Sequence, residues 1–265
     1  MRQVLFILKN NMLIEFCLPI KDEEKILEDS LKNLLNYLES ANFSFSWKII
    51  GVVNGSTDSS ADIVKTLENK FPEKIKYFEM KAPGRGRALK SYWRLSRADI
   101  LAYMDADLAV SLGNIKSLIQ PLISGEAEVV IGSRLASGAI IERSFLRELT
   151  SRGYNIFSQI ILGHRISDLQ CGFKALNRRV FTKLDQYLID DYWFFDTELI
   201  ILAKKFNYFI KEVPVNWQEN RLGARKSTVK IVRDSWRFVV RSLSFRRRLR
   251  QIMKHRGNEL IPPAH

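Results

Sequence analysis

The chain has 265 residues, 46% of them hydrophobic, which supports a full apolar core and excludes a disordered or low-complexity polymer. No stretch approaches the roughly 20 uninterrupted apolar residues of a spanning helix, and the segment from Met1 to Lys9 lacks the length and cleavage site of a secretory signal. A cytoplasmic protein is the expectation. The net charge of +13 is concentrated between Arg221 and Arg256, where thirteen cations face one acid, Asp234. Such a block suits anionic lipid, nucleic acid or a solvated helix face. Cys17 and Cys171 have neither metal-ligand spacing nor a disulfide framework and read as small buried side chains.

In chain order, Leu13 to Leu18 predicts a strand ended by Pro19, followed by a helix with Ile26, Leu27, Ser30, Leu31, Leu34, Leu35 and Leu38 at spacings of three and four. Trp47 to Val53 repeats the strand, Asn54 to Ser60 the turn, and Ile63, Val64 and Leu67 mark the next helix. Ile75 to Phe78, a helix over about 87–96, and the strand Ile100 to Met104 continue the pattern. A helix over about 114–123, capped by Ser111 or Asn114, precedes a fifth strand over 127–132. Strands alternating with helices predict an α/β fold with a mostly parallel, helix-covered sheet. Beyond Arg134 the order loosens into a helix over about 145–162, a turn at Cys171-Gly172-Phe173, a helix over 195–205 and a strand over 209–215. Residues 1–228 are expected to form one catalytic domain and residues 229–265 a basic amphipathic extension. In that extension Val232, Trp236, Val239 and Leu243 share one face and Arg233, Arg237 and Arg241 another.

Asp105-Ala106-Asp107 follows the fourth strand directly. Ligands of open α/β sheets bind beyond the carboxyl ends of strands, and Mg²⁺ or Mn²⁺ is held by one or two carboxylates with phosphate oxygens and water completing the shell. The motif therefore points to a nucleoside diphosphate, although two aspartates in a polar turn also serve as a helix N-cap or a solvated loop.

The turns at Pro19 to Glu23, Asn54 to Asp58, Gly84 to Arg87 and Asp105 to Asp107 all fall at one edge of the predicted sheet. With Ile131-Gly132-Ser133-Arg134 and Asp168 to Phe173, this ordered set resembles the family 2 glycosyltransferases of the GT-A, Rossmann-like fold. Within them it is similar to the dolichyl-phosphate or polyprenyl-phosphate glucosyl- and mannosyltransferases over roughly residues 13–235. Phe195 to Leu199, Glu212 to Trp217 and Arg233 to Arg237 look like segments of the β-glucosyl branch, which uses UDP-glucose; GDP-mannose is the alternative donor. The resemblance implies an inverting transfer and a nucleotide-sugar site at Pro19, Glu23, Asn54, Gly86, Arg87, Asp105, Ala106 and Asp107. It also implies a mobile loop from Arg221 to Ser227 in which Arg221 and Lys226 meet the diphosphate. Asn54 departs from the family's aspartate in the second turn, and Arg225 from a serine in the mobile loop.

Transfer from a nucleotide sugar requires charge neutralised on the leaving diphosphate, which a metal on Asp107, with Asp105 near the ribose or in the metal shell, would supply. A phosphate monoester acceptor brings an anionic nucleophile, so it needs cations to position it rather than a strong base. Arg134, Arg143 and Arg147 are the candidates, with surface arginines the competing reading. Asp196 is expected to orient the sugar or a metal-bound water, or to cap the helix beginning near Thr197.

A polyprenyl phosphate lies in a bilayer, so docking at the cytoplasmic face is expected, through the basic helix or a membrane-anchoring subunit. Phe145, Leu146, Leu149, Ile156, Phe157, Ile160 and Ile161 offer a second apolar surface or plain core. A soluble transferase with a carbohydrate acceptor and Asp196 as its base is the alternative. A nucleic-acid-binding protein is a weaker rival, because it leaves the Asp-x-Asp without a role and no nucleic-acid module is visible.

Overall fold

Leu13–Ile20 forms β1 and Ser46–Asn54 forms β2, paired parallel from Leu13 opposite Ser46 to Ile20 opposite Val53. Both are buried along nearly their whole length, as strands covered on two faces must be. Between them α1, Glu24–Ser40, buries Leu27, Leu31, Leu34, Leu35 and Leu38. Each leucine fully withdrawn from water contributes about 1.5–3 kcal/mol. The alternation continues through α2 (Ser60–Lys70), β3 (Ile75–Met80), α3 (Arg85–Trp93), β4 (Ile100–Met104), α4 (Ile115–Ile123) and β5 (Val129–Ser133). The computed structural model describes residues 12–142, 145–218 and 231–259.

The second half adds β6 (Ile140–Glu142), α5 (Phe145–Leu162), β7 (Phe173–Asn177), α6 (Arg178–Leu184), α7 (Phe195–Lys205), β8 (Ile210–Pro214), β9 (Asn216–Gln218) and α8 (Ile231–Glu259). Seven strands make one sheet in the order β3-β2-β1-β4-β7-β5-β8, and β6 and β9 pair separately. β7 runs antiparallel to both β4 and β5 while the other pairings are parallel. The chain winds outward from β1 to β3 and then returns to β4 on the other side of β1. The crevice beyond the carboxyl ends of β1 and β4 is therefore the switch point where such sheets bind ligands.

Three local expectations are corrected. β1 does not end at Pro19 but runs through it to Ile20; pairing with β4 stops at Cys17, so a residue without an N–H sits where only β2 still pairs along the strand. Cys171-Gly172-Phe173 is not simply a turn, because Phe173 opens β7, a central strand. Neither Ser111 nor Asn114 caps its helix by a side-chain bond. Asn114 instead ties α4 to the chain after β8, accepting from Asn216 N at 3.0 Å and donating to Pro214 O at 3.4 Å.

α8 packs on α5 and α7 and delivers Phe245 and Leu249 into the same core cluster as Trp93, Tyr103 and Phe195. Phe238 meets Phe194 and Tyr154. The buried stripe is Ser242, Phe245 and Leu249 with Phe238 half-buried, whereas Leu243, expected on the apolar face, points to solvent beside Val240; the Val232 and Trp236 side chains lie outside the described residues. On α5, Leu162 is core but Ile156 and Ile160 are exposed.

Candidate active site

At the end of β4 the chain turns sharply: Leu108 N donates to Asp105 O at 3.1 Å, Leu108 adopts a φ of 48°, and Ala109 N donates to Asp107 Oδ1 at 3.2 Å. Ala106 is buried and pins the turn. Asp105 N donates to Gly172 O at 3.1 Å, and a Cβ on Gly172 would collide with the Asp105 carboxylate. The antiparallel β7 thus sets this carboxylate by close backbone approach, which only glycine allows. Neither aspartate caps a helix; the next helical turn, Leu112–Asn114, has Ser111 at its N-cap position.

Opposite the turn stands Arg85, the first residue of α3, with its Nη2 3.1 Å from Asp105 Oδ1. Its guanidinium lies between the Tyr103 ring at 5.3 Å and the Trp193 ring at 4.8 Å. Only 7% of Arg85 is exposed, yet Nε and Nη2 have no hydrogen-bond partner among the described residues. Burial opposes the charge, but Asp105 and then Asp196 outweigh it and hold the pKa above its ordinary value. The two carboxylates near these atoms supply charge but not aligned hydrogen bonds, a need that the oxygens of an anionic ligand would meet.

Asp196 lies beneath this pair rather than on the surface. It is fully buried inside the first turn of α7, where Phe194 holds the N-cap position, so the capping expectation is corrected. Its Oδ1 accepts from Tyr103 Oη and from Lys174 Nζ at 2.7 Å, and its Oδ2 is 3.9 Å from Arg85 Nε. Lys174 also donates to Cys171 O at 2.6 Å. Burial pushes the Asp196 carboxyl up and pulls the Lys174 ammonium down. Asp196 is buried behind Tyr103 and Lys174 and approaches the crevice residues through Arg85.

Asn54 ends β2. It is buried, donating from Nδ2 to Ile20 O at 2.8 Å and accepting at Oδ1 from Gly84 N at 3.0 Å. Its amide ties β1, β2 and the loop before α3 together. Gly86 lies inside α3, where a Cβ would strike Phe195 and Asp190 O; its smallness serves helix packing. Arg87 pairs with Asp191, with Nη2 to Oδ2 at 2.6 Å and Nε to the same oxygen at 3.0 Å. Of the two arginines in that loop, Arg85 and not Arg87 faces Asp105.

Pro19 sits in β1, and Glu23 holds the N-cap position of α1, its N–H donating to Ser60 Oγ at 2.9 Å. Arg134 grips Asp168 with a two-pronged bond, Nε to Oδ2 at 2.7 Å and Nη2 to Oδ1 at 2.9 Å. Against the burial of both, each charge holds the other: Asp168 is kept below its ordinary value and Arg134 above. Two of the three guanidinium nitrogens are thereby occupied, so Arg134 is first a bracket between the end of β5 and the loop before β7. Arg143, Arg221 and Lys226 lie outside the described residues, as does the Arg147 side chain. Gln218 donates to Ala109 O at 2.8 Å, two residues beyond Asp107.

Among the described residues no group of three or more His, Cys, Asp or Glu side chains forms a metal cluster. The donor set still suits Mg²⁺ or Mn²⁺, since two hard carboxylate ligands on one turn are what such an ion takes when diphosphate oxygens and water fill its remaining positions. Asp105 and Asp107 are the residues that could hold it. Sequence reasoning missed Arg85, Tyr103, Trp193 and Lys174. Lys174 left a signal, a single lysine inside the apolar run Phe173 to Leu176.

An open sheet reversing beside β1, with acidic and basic side chains converging at the reversal, defines an α/β protein with a ligand site at its switch point. A model of glycosyl transferase family 2 matches residues 15–185, and the chain belongs to that family. It is 30% identical to glycosyltransferase AglD of Haloferax volcanii over 205 residues, 77% of this chain and 33% of that protein. It is also 30% identical to the dolichyl-phosphate beta-glucosyltransferase of Dictyostelium discoideum over 249 residues, 88% of this chain and 76% of that protein. The chain thus spans about a third of the first relative's length and three quarters of the second's. Among solved structures, glucosyl-3-phosphoglycerate synthase from Mycobacterium tuberculosis, in complex with Mn²⁺, UDP-glucose and phosphoglyceric acid, superimposes with a TM-score of 0.64. That likeness is one of fold, at 19% identity over 91% of this chain and 82% of that one.

Proposed function

We propose that this glycosyltransferase moves a hexose from a nucleoside diphosphate sugar, UDP-glucose before GDP-mannose, to a polyprenyl phosphate at a membrane surface. The observation that carries the reading is the pairing of a buried Arg85, with donors still unmet, and the Asp105 carboxylate at the switch point of the sheet. Asp105 and Asp107 would hold Mg²⁺ or Mn²⁺, which when bound neutralises charge on the departing diphosphate. Arg85 adds a fixed positive charge in a site half closed by Trp193, where electrostatic stabilisation is stronger than in water. An acceptor phosphate oxygen attacks the anomeric carbon, the bond from that carbon to the β-phosphate oxygen breaks, and the electron pair leaves with the nucleoside diphosphate. The acceptor is already an anion, so no general base is needed, in keeping with the burial of Asp196.

The acceptor assignment draws on the relatives named for dolichyl phosphate and on the surface of the second half. No helix among the described residues is long and apolar enough to cross a membrane. Ile156, Ile160, Val240 and Leu243 are exposed, and the cations Arg247, Arg250 and Lys254 continue along α8. That mixture suits a helix lying at an anionic lipid surface on the cytoplasmic side, each cation adding about 1 kcal/mol. A membrane-anchoring subunit is the other means of attachment.

The test is transfer of labelled sugar from UDP-glucose or GDP-mannose to a polyprenyl phosphate in detergent with Mn²⁺. Lipid-linked product formed by the wild type and lost in Asp107→Ala supports the reading; transfer only to soluble acceptors overturns the lipid acceptor.

A further inference from the structure

Glu198 is a carboxylate 3% exposed inside α7, and α8 supplies its counterion, the Arg248 guanidinium, through Nη2. A buried charge of this kind costs several kcal/mol unless paired and hydrogen-bonded. Glu198 meets that demand on two sides, because Oε2 also accepts the backbone N–H groups of Ile189 at 2.8 Å and Asp190 at 2.9 Å. Arg248 Nη2 lies 3.5 Å from Tyr187 O as well. A second α8 cation, Arg241, pairs with Asp190 and lies over the Tyr192 ring at 5.7 Å. The helix thus fastens the segment between Leu188 and Phe194 at two points.

That segment in turn holds the loop that carries Arg85. Asp191 O accepts Arg87 N at 3.0 Å, the Asp191 carboxylate binds Lys90 at 3.0 Å as well as Arg87, and Trp193 covers the Arg85 guanidinium. From Arg248 the path runs through Glu198 to the backbone N–H groups of Ile189 and Asp190, along the peptide to Asp191, and from the Asp191 carbonyl and carboxylate to Arg87 and Lys90 of α3, whose first residue faces Asp105.

We propose that Arg248 is a positioning residue of the donor site, acting through Glu198 to set Arg85 against the carboxylate turn. The basic helix is then part of the catalytic frame and not only a surface element. This rests on the crevice being a nucleoside-diphosphate site, and partners that orient a binding group cost on the order of tenfold or more in affinity when removed.

The experiment measures UDP binding with Mn²⁺ by calorimetry and amide exchange at Arg87 and Ala88 by NMR or mass spectrometry, in the full chain. Arg248→Met should raise the Kd for UDP about tenfold and speed exchange at α3. The conservative Arg248→Lys should recover part of both, and Arg246→Met, an exposed charge-matched control on the same helix, should move neither. In turnover the Arg248→Met defect should appear in the donor KM more than in kcat. If Arg248→Met does not fold, Glu198→Gln serves, since it removes the ion pair while its amide oxygen can still accept from Ile189 and Asp190. A folded variant with unchanged α3 exchange and unchanged Kd overturns the proposal. Faster α3 exchange in a protein that binds no UDP at all retains the positioning and overturns the donor reading.

Discussion

Arg85 and Asp105 face each other at 3.1 Å across the crevice, joining the first turn of α3 to the end of β4. The pair puts a cation next to a carboxylate that also suits a metal, so a diphosphate arriving with its ion would meet both signs of charge at once. Arg85→Met should lower kcat/KM for the nucleotide sugar by roughly 10²–10³, the usual cost of deleting one preorganised charge donor. Arg85→Lys should recover only part, because an ammonium cannot fill the flat slot between Tyr103 and Trp193. Steady-state kinetics alongside thermal melts separate this from a folding defect.

Removal of divalent ions should abolish transfer, and Asp107→Asn should weaken Mn²⁺ binding measured in the presence of UDP by at least tenfold. Electron paramagnetic resonance of Mn²⁺ reads the bound fraction directly. Equal Mn²⁺ affinity in wild type and variant would dismiss Asp107 as a ligand.

Asn54→Ala should lower stability by about 2 kcal/mol, since it strands the buried Gly84 N–H and leaves Ile20 C=O only the long contact from Ser56 Oγ. The ratio of UDP to GDP affinity should stay where it was. A changed ratio in a variant of normal stability would return Asn54 to base recognition.

Arg134→Met should destabilise by about 3–5 kcal/mol, because it leaves Asp168, 1% exposed, without its counterion. The double change Arg134→Met with Asp168→Leu should be less harmful than the sum of the singles. Denaturant unfolding of the four proteins gives the coupling energy; full additivity would show that the bracket is not structural.

His164 makes the stability pH-dependent. Burial, with Lys204 adding to it, lowers its pKa from 6.5 to about 4, while its ring nitrogens meet Ser158 Oγ at 3.2 Å and the Ile166 N–H at 3.2 Å. The unfolded chain takes up a proton near 6.5 that the folded chain refuses until about 4. The contribution is therefore complete above pH 6.5 and lost as pH falls toward 4, about 2 kcal/mol by pH 5. His164→Gln should flatten the fall in Tm between pH 7 and pH 5; an unaltered slope would assign the acid sensitivity elsewhere.

Much of this was legible from the chain itself. The leucine spacing of α1 and the apolar runs of β1, β2 and β4 announced an α/β sheet, because periodicity and turn chemistry are local and survive in a single sequence. The carboxylate turn was visible for the same reason: two aspartates directly after a buried strand can lie only at its end. α8 was visible as a helix, but Leu243, expected on its apolar face, is exposed, since Phe238, Phe245 and Leu249 are the residues that meet what α5 and α7 present.

Tertiary structure alone decided the rest. Arg85 and Arg87 are near-equivalent letters in the sequence, and only the packing of α3 on α7 turns the first toward Asp105 and gives the second to Asp191. Asn54 reads as an exposed turn residue until β1 and the Gly84 loop close over it. Asp196 reads as a cap or a base until Tyr103 and Lys174, from strands far away in the chain, take its oxygen. The reversed strand β7 hides behind a glycine that resembles a turn. Local periodicity specifies which segments form strands and helices, whereas the partner of a charged side chain depends on register and rotation between distant elements, which no short stretch of sequence encodes.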